Sequence, residues 1–338
     1  ARAWGGGATS ARLLAGGTRL HRRLEENLAG WLGCDDVLLT TTGYQANLAA
    51  ISVLADHRDD AVVLDRLCHA SLYDGARLSA GRLVRFRHND AADLDRHLEA
   101  LATCRRRVVA VESVYSMDGD EAPLAAIAEV CQRHDALLVV DEAHALGLFG
   151  PAGRGCCAEA GIRPDLLVGT CSKTLGAQGG LLAGDRTMVD LLVNRARSFV
   201  FTTAAVPAAP AAAVAALGLV RQRPERAAGL LAAAAELRRD LRAQGWAVPE
   251  GRSPIVPVIV GDETETLDLA SRLRAAGHYA PAIRPPTVPP KTCRLRFSLS
   301  AAHTPADRRR LLAALASVAS DFLPMTAGGC APSTPPPG

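Results

Sequence analysis

The chain has 338 residues, 49% of them apolar, and a formal net charge of +3. That length accommodates one large domain and a smaller one. The balanced charge, with no basic block and no aromatic-basic interleaving, excludes a nucleic-acid footprint, and no apolar run reaches the roughly 20 residues that span a membrane.

In chain order, short apolar runs alternate with amphipathic stretches. Val37–Thr40, Ala61–Leu64, Val108–Val111, Leu137–Val140, Leu166–Val168 and Gly180–Ala183 read as buried strands. Between them, Leu20–Leu32, Ala46–Leu54, Leu94–Ala102 and Leu124–His134 read as helices. This alternation predicts an α/β fold with a mostly parallel sheet, in which ligands sit at the carboxyl ends of the strands. After Thr203 the style changes. Pro207–Leu241 predicts long alanine-rich helix interrupted at Pro224, and Ile255–Val260, Leu267–Ala276 and Cys293–Leu299 predict a smaller α+β domain. The expected division is therefore a large domain at 1–205, a linking helix and small domain at 206–323, and a disordered tail at 324–338, where Pro, Gly, Ser and Thr dominate. No internal repeat is present.

Nine cysteines, an odd number without a CxxC pair, suit a reduced, cytoplasmic compartment. The opening residues carry no signal peptide, and no metal site is expected. Gly5-Gly6-Gly7 invites a dinucleotide-binding reading, but no strand-turn-helix fingerprint follows it.

Lysine is the informative residue. Arginine supplies nearly all the positive charge, and only Lys173 and Lys291 are lysines. A lysine kept against such a bias suits chemistry that needs an amine, because a guanidinium does not readily deprotonate. Lys173 follows the strand Asp165–Val168, and Asp141 follows the strand Leu137–Val140. Alone, such an aspartate is most often a cap or ion pair, and such a lysine a surface charge. Together they suit pyridoxal 5′-phosphate: the lysine forms the Schiff base, and the aspartate keeps the pyridine nitrogen protonated. Thr41–Asn47 opens a helix after a strand and offers backbone N–H groups to a phosphate. His69, also after a strand, is either a satisfied core histidine or a ring laid on the cofactor.

With these residues assembled, the chain resembles the α-oxoamine synthases, fold-type I pyridoxal-phosphate enzymes that condense an amino acid with an acyl thioester and release carbon dioxide. The resemblance runs from about Trp4 to Leu315. It rests on His21, Asp65–Leu72, His88-Asn89-Asp90, Ser116–Asp120, Asp141–His144, Gly153-Arg154-Gly155 and Thr170–Gly176 together. It implies Lys173 as Schiff-base lysine and acid/base, Asp141 at the pyridine nitrogen, and Ser116 and His144 near the phenolic oxygen. It further implies His69 on the ring and at the substrate. Gly43, Tyr44 and Thr170 would serve the phosphate, and Thr202 the phosphate of the partner subunit in a homodimer.

The segment Ala282–Pro289 resembles the biotin-pathway branch. That branch joins L-alanine to a pimeloyl thioester on acyl carrier protein or coenzyme A, with Arg284 binding a substrate carboxylate and Thr287 touching substrate. The same resemblance admits glycine- or serine-using members and a non-catalytic subunit, against which an intact Lys173 argues. Relative to the family, the chain starts without an N-terminal segment of several dozen residues that brings an arginine for the acyl substrate. Alanine also stands at position 11, where the family has serine.

Overall fold

The computed structural model describes residues 3–322. They form two compact units: one comprises residues up to Ser116 and Asp120–Ala228, the other Met117–Gly119 and the chain from Gly229 onward. The junction falls at 228/229 rather than at 205/206 because α9 (Ala208–Gln222) packs against α1 (Arg19–Leu32), so the first alanine-rich helix belongs to the first unit. The tail expected to be disordered lies outside the described residues.

The first unit alternates strand and helix after α1: β1 (Asp36–Thr40), α2 (Gly43–Leu54), β2 (Asp60–Asp65), α3 (Ala70–Leu78), β3 (Arg82–Phe86), α4 (Ala91–Ala100), β4 (Arg106–Glu112), α5 (Leu124–Arg133), β5 (Leu137–Asp141), α6 (Cys156–Glu159), β6 (Leu166–Thr170), β7 (Gly180–Gly184), α7 (Arg186–Arg195) and α8 (Arg197–Val200). The seven strands form one sheet in the order β1-β7-β6-β5-β4-β2-β3. β7 alone runs antiparallel to its neighbours. The connection from β6 to β7 is too short for a crossover helix, whereas helices link most of the parallel strands. Six carboxyl ends, at Thr40, Asp65, Phe86, Glu112, Asp141 and Thr170, therefore share one edge of the sheet.

Side-chain alternation fixes both faces. Leu38, Leu166, Val168 and Leu182 enter the core built on α2 and α7. Their neighbours Val37, Leu39, Leu167, Leu181 and Ala183 enter the core built on α1 and α9. Helix starts follow local chemistry: Thr42 caps α2 by accepting from Gln45 N, and Asp90 and Asp185 cap α4 and α7.

The second unit carries α10 (Glu225–Ala243, which begins in the first), β8 (Ile255–Gly261), α11 (Glu263–Ala275), β9 (Ala282–Ile283), β10 (Cys293–Ser298) and α12 (Pro305–Phe322). Its sheet, β8-β10-β9, packs Val256, Val258, Leu295 and Phe297 against Leu269, Leu273 and Leu315. The eight described cysteines are all free thiols. Among the described residues no helix is long and apolar enough to cross a membrane.

Candidate active site

Asp141 ends β5 and is 6% exposed. Its carboxylate accepts from Asn47 Nδ2 at 2.7 Å and from Ala143 N at 2.9 Å. Asn47 comes from α2, where it is the buried polar residue among Ala46, Ala49 and Ala50. Its other amide hydrogen reaches Ser71 Oγ at 2.9 Å, and Ser71 Oγ lies 2.7 Å from His69 Nδ1. Since Ser71 N also donates to Nδ1, the network leaves the ring proton on Nε2. Burial holds His69 below its usual pKa; the Asp141 charge opposes this and the Lys173 charge adds to it. His69 is thus a neutral imidazole at pH 7, set edge-on to Tyr44 with ring centroids 6.4 Å apart.

Lys173 sits on the tight turn between β6 and β7. Cys171 N donates to Gly179 O, Ala177 N to Cys171 O and Gly176 N to Lys173 O, and Gly176 has a φ of +56° that favours glycine. Thr170 Oγ1 donates to Gly179 O at 2.8 Å and accepts from Ser172 N at 3.1 Å, so its hydroxyl fastens this turn. Lys173 itself is exposed.

The start of α2 approaches the end of β6 closely. A Cβ on Gly43 would stand 3.3 Å from Thr170 Cβ, so glycine lets the helix amides reach the strand ends. The first-turn N–H groups of Gly43 and Tyr44 lack intrahelical acceptors and suit an anion. Thr202 lies beside this helix start within its own chain, accepting from Gln45 Nε2 at 3.2 Å. Ser116 and His144, both partly buried, lie on the loops that follow β4 and β5.

The sheet edge therefore gathers Gly43, Tyr44, His69, Ser116, Asp141, His144, Thr170 and Lys173. The residues fit pyridoxal phosphate: an amine, a buried carboxylate held by two donors, a neutral aromatic face and a helix start. Arg284 and Thr287 belong to the second unit, on the β9–β10 connection, where Arg284 pairs with Glu263 at 2.9 Å.

Sequence reasoning gave no role to Asn47, Ser71, Glu112 or Glu142. Glu112 is 3% exposed and pairs in register with Asp141. Burial, then the Asp141 charge, push its pKa well up, and the His69 backbone N–H donates to it. Burial and that charge both favour the neutral carboxylic acid over the carboxylate. Glu142 is fully buried and accepts from Ser113 Oγ, Cys156 N and Cys157 N. The one sequence signal for Asn47 was a polar residue inside an apolar helix face.

The sequence matches the family described as Aminotransferase class I and II over residues 6–315. It is 47% identical over 323 residues to an 8-amino-7-oxononanoate synthase of Anaeromyxobacter sp. (strain K), covering 95% of this chain and 81% of that protein. The structure is similar to a Sphingomonas wittichii serine palmitoyltransferase, with TM-score 0.90 and 36% identity over 95% of this chain and 82% of that one. A serine palmitoyltransferase with PLP as an internal aldimine gives TM-score 0.91 at 34% identity, covering 94% and 81%. The chain belongs to the class I and II aminotransferase family, in its pyridoxal-phosphate-dependent α-oxoamine synthase branch, among relatives named 8-amino-7-oxononanoate synthase.

Proposed function

We propose that this chain condenses L-alanine with a pimeloyl thioester, carried on acyl carrier protein or coenzyme A, to give 8-amino-7-oxononanoate, carbon dioxide and the free carrier thiol. The observation that carries the reading is the convergence of Lys173, the Asn47-held Asp141 and neutral His69 on one strand-end edge. The 47% identity to a synthase of that name supports the substrate pair.

Pyridoxal phosphate supplies an electron sink at the amino-acid Cα. Lys173 would anchor the group through its amine and then move the Cα proton. Asp141 would hold a proton on the pyridine nitrogen. His69 would offer the ring an uncharged face that does not oppose that charge. The Gly43 and Tyr44 amides would hold the phosphate, with Thr170 fastening the facing turn and Thr202 serving the phosphate of the partner. Ser116 and His144 would serve the phenolic oxygen. Arg284 would bind a substrate carboxylate, with Thr287 contacting substrate.

The working unit in this reading is a homodimer. Leu14 and Phe201, 82% and 73% exposed, lie on segments joined by the Ala11–Thr203 bridge, and each offers apolar surface to a second copy. Light scattering of the cofactor-loaded protein should give twice the chain mass, and a fully active monomer overturns the shared site.

A second reading is favoured by the serine palmitoyltransferase likeness: serine with a long-chain acyl thioester. Product analysis with alanine, glycine and serine decides. Turnover of alanine with pimeloyl thioester is expected; preference for serine or glycine removes the alanine assignment.

A further inference from the structure

Two sequence motifs, His88-Asn89-Asp90 and Ser116–Asp120, have no place in the chemistry above as whole motifs. In the structure they meet through His88 and Asn89, which bond Asp120 on one side and Asp65 on the other. Asp65 anchors the chain. This residue ends β2 and is fully buried. Asp65 accepts from Leu67 N at 2.8 Å, from Asn89 N at 2.8 Å and from His88 Nδ1 at 2.9 Å. The other ring nitrogen, His88 Nε2, lies 2.7 Å from Asp120 Oδ2. Asn89 Nδ2 donates to the same oxygen at 2.9 Å and to Glu121 O at 3.2 Å.

A neutral imidazole has one N–H, yet both nitrogens of His88 face carboxylate oxygens. Only the doubly protonated ring donates to both. Burial opposes the charge, but the bonds to Asp120 and Asp65 outweigh it, and the pKa is raised to about 9. The remaining groups around the ring leave this balance intact. Tyr115 packs edge-on at 4.4 Å with its phenol kept neutral by burial, and Arg87 pairs with Asp90 and Asp93.

Each end of this chain of bonds governs a loop of the site. Asp65 shapes the turn into α3: its carboxylate holds Leu67 N, its carbonyl accepts Cys68 N, and His69 follows. Asp120 is on the return arm of a hairpin. That arm is closed by Tyr115 N to Asp120 O at 2.9 Å, Ala122 N to Ser113 O at 3.1 Å and the Val114–Glu121 bridge. Ser116 follows Tyr115 on the outgoing arm.

We propose that the Asp65–His88–Asp120 chain is a positioning device that ties the loop carrying His69 to the hairpin carrying Ser116, so that the two move as one. The assignment of His69 and Ser116 to a cofactor rests on the function proposed above; the coupling of the loops does not. His88→Gln keeps a polar side chain of similar reach but is uncharged and offers donors from one nitrogen where the ring offers them from two. Hydrogen exchange at pH 7 on that variant should be at least tenfold faster at Leu67–His69 and at Ser113–Ser116 together. Asp120→Asn, a milder change, should speed both loops in the same proportion. Long-range nitrogen NMR of the unaltered chain should show both His88 nitrogens protonated at pH 7. Absorbance titration with pyridoxal phosphate should give at least tenfold weaker binding in His88→Gln.

Faster exchange in only one loop, or a neutral His88 ring, overturns the coupling. Unchanged cofactor affinity with both loops loosened overturns the positioning role. An unaltered chain that binds no pyridoxal phosphate defeats the function proposed above, while the exchange and NMR results still judge the strut.

Discussion

Asn47 donates through Nδ2 to Asp141 Oδ2 at 2.7 Å, joining residues 94 positions apart. The same amide passes a hydrogen bond to Ser71, which faces His69. One buried side chain thus orients the pyridine-nitrogen partner and the ring-covering histidine. Asn47→Leu should weaken pyridoxal-phosphate binding by about tenfold or more, since a lost charge-assisted bond is worth about 1.5–3 kcal/mol. Asn47→Asp should be worse, because a second carboxylate would stand against the first. Absorbance titration checks both; unchanged affinity in Asn47→Leu removes this residue from the site.

Lys173→Ala should abolish the visible absorption of the bound cofactor and its trapping by borohydride. Lys291, the other lysine, lies in the second unit. Mass spectrometry of the trapped protein should find the adduct on Lys173 alone, and an adduct on Lys291 sinks the assignment.

Asp141→Asn preserves shape while removing the charge that retains the pyridine proton. Exchange of the alanine α-proton should slow by an order of magnitude or more, about 1.4 kcal/mol of barrier per tenfold. NMR of alanine in deuterium oxide measures it, and an unchanged rate removes Asp141 from the mechanism.

Stability should fall with rising pH through His88. Its pKa in the folded chain is about 9 against an ordinary 6.5, so its contribution is complete below about 6.5 and is lost as pH rises through about 9. The amount is on the order of 3 kcal/mol. Unfolding midpoints between pH 6 and pH 10 should drop less in His88→Gln than in the unaltered chain; parallel curves contradict the charge assignment.

Arg284→Leu should raise the alanine KM and leave the visible spectrum intact. The Arg284–Glu263 pair is half exposed, so its loss should hardly affect folding. Arg296, whose pKa burial lowers, is the control. A KM effect that follows Arg296 instead moves the carboxylate contact to β10.

How much of this was legible in the sequence varies by residue. Apolar runs marked β1, β2, β4, β5, β6 and β7 because strands buried on both faces need apolar residues throughout. Asp141 and Lys173 stood out as polar groups directly after such runs. β3 escaped because it is an edge strand: Arg82, Leu83 and Arg85 are exposed and only Phe86 is buried, so no run forms. Pro224 correctly marked the break between α9 and α10, but the extent of the first unit depended on which partner α9 packs against.

The sequence by itself determined the strand-helix alternation and the chemical types at strand ends, because both depend on a few adjacent residues. Only the tertiary structure decided which polar groups bond to one another. The Asp141–Asn47–Ser71–His69 path and the Asp65–His88–Asp120 strut each link segments dozens of residues apart. The upward shift of the Glu112 carboxyl likewise arises only when β4 pairs with β5 and sets it, buried, beside Asp141. Hydrogen bonds and charge states depend on distance and desolvation, and those exist only once the chain has folded.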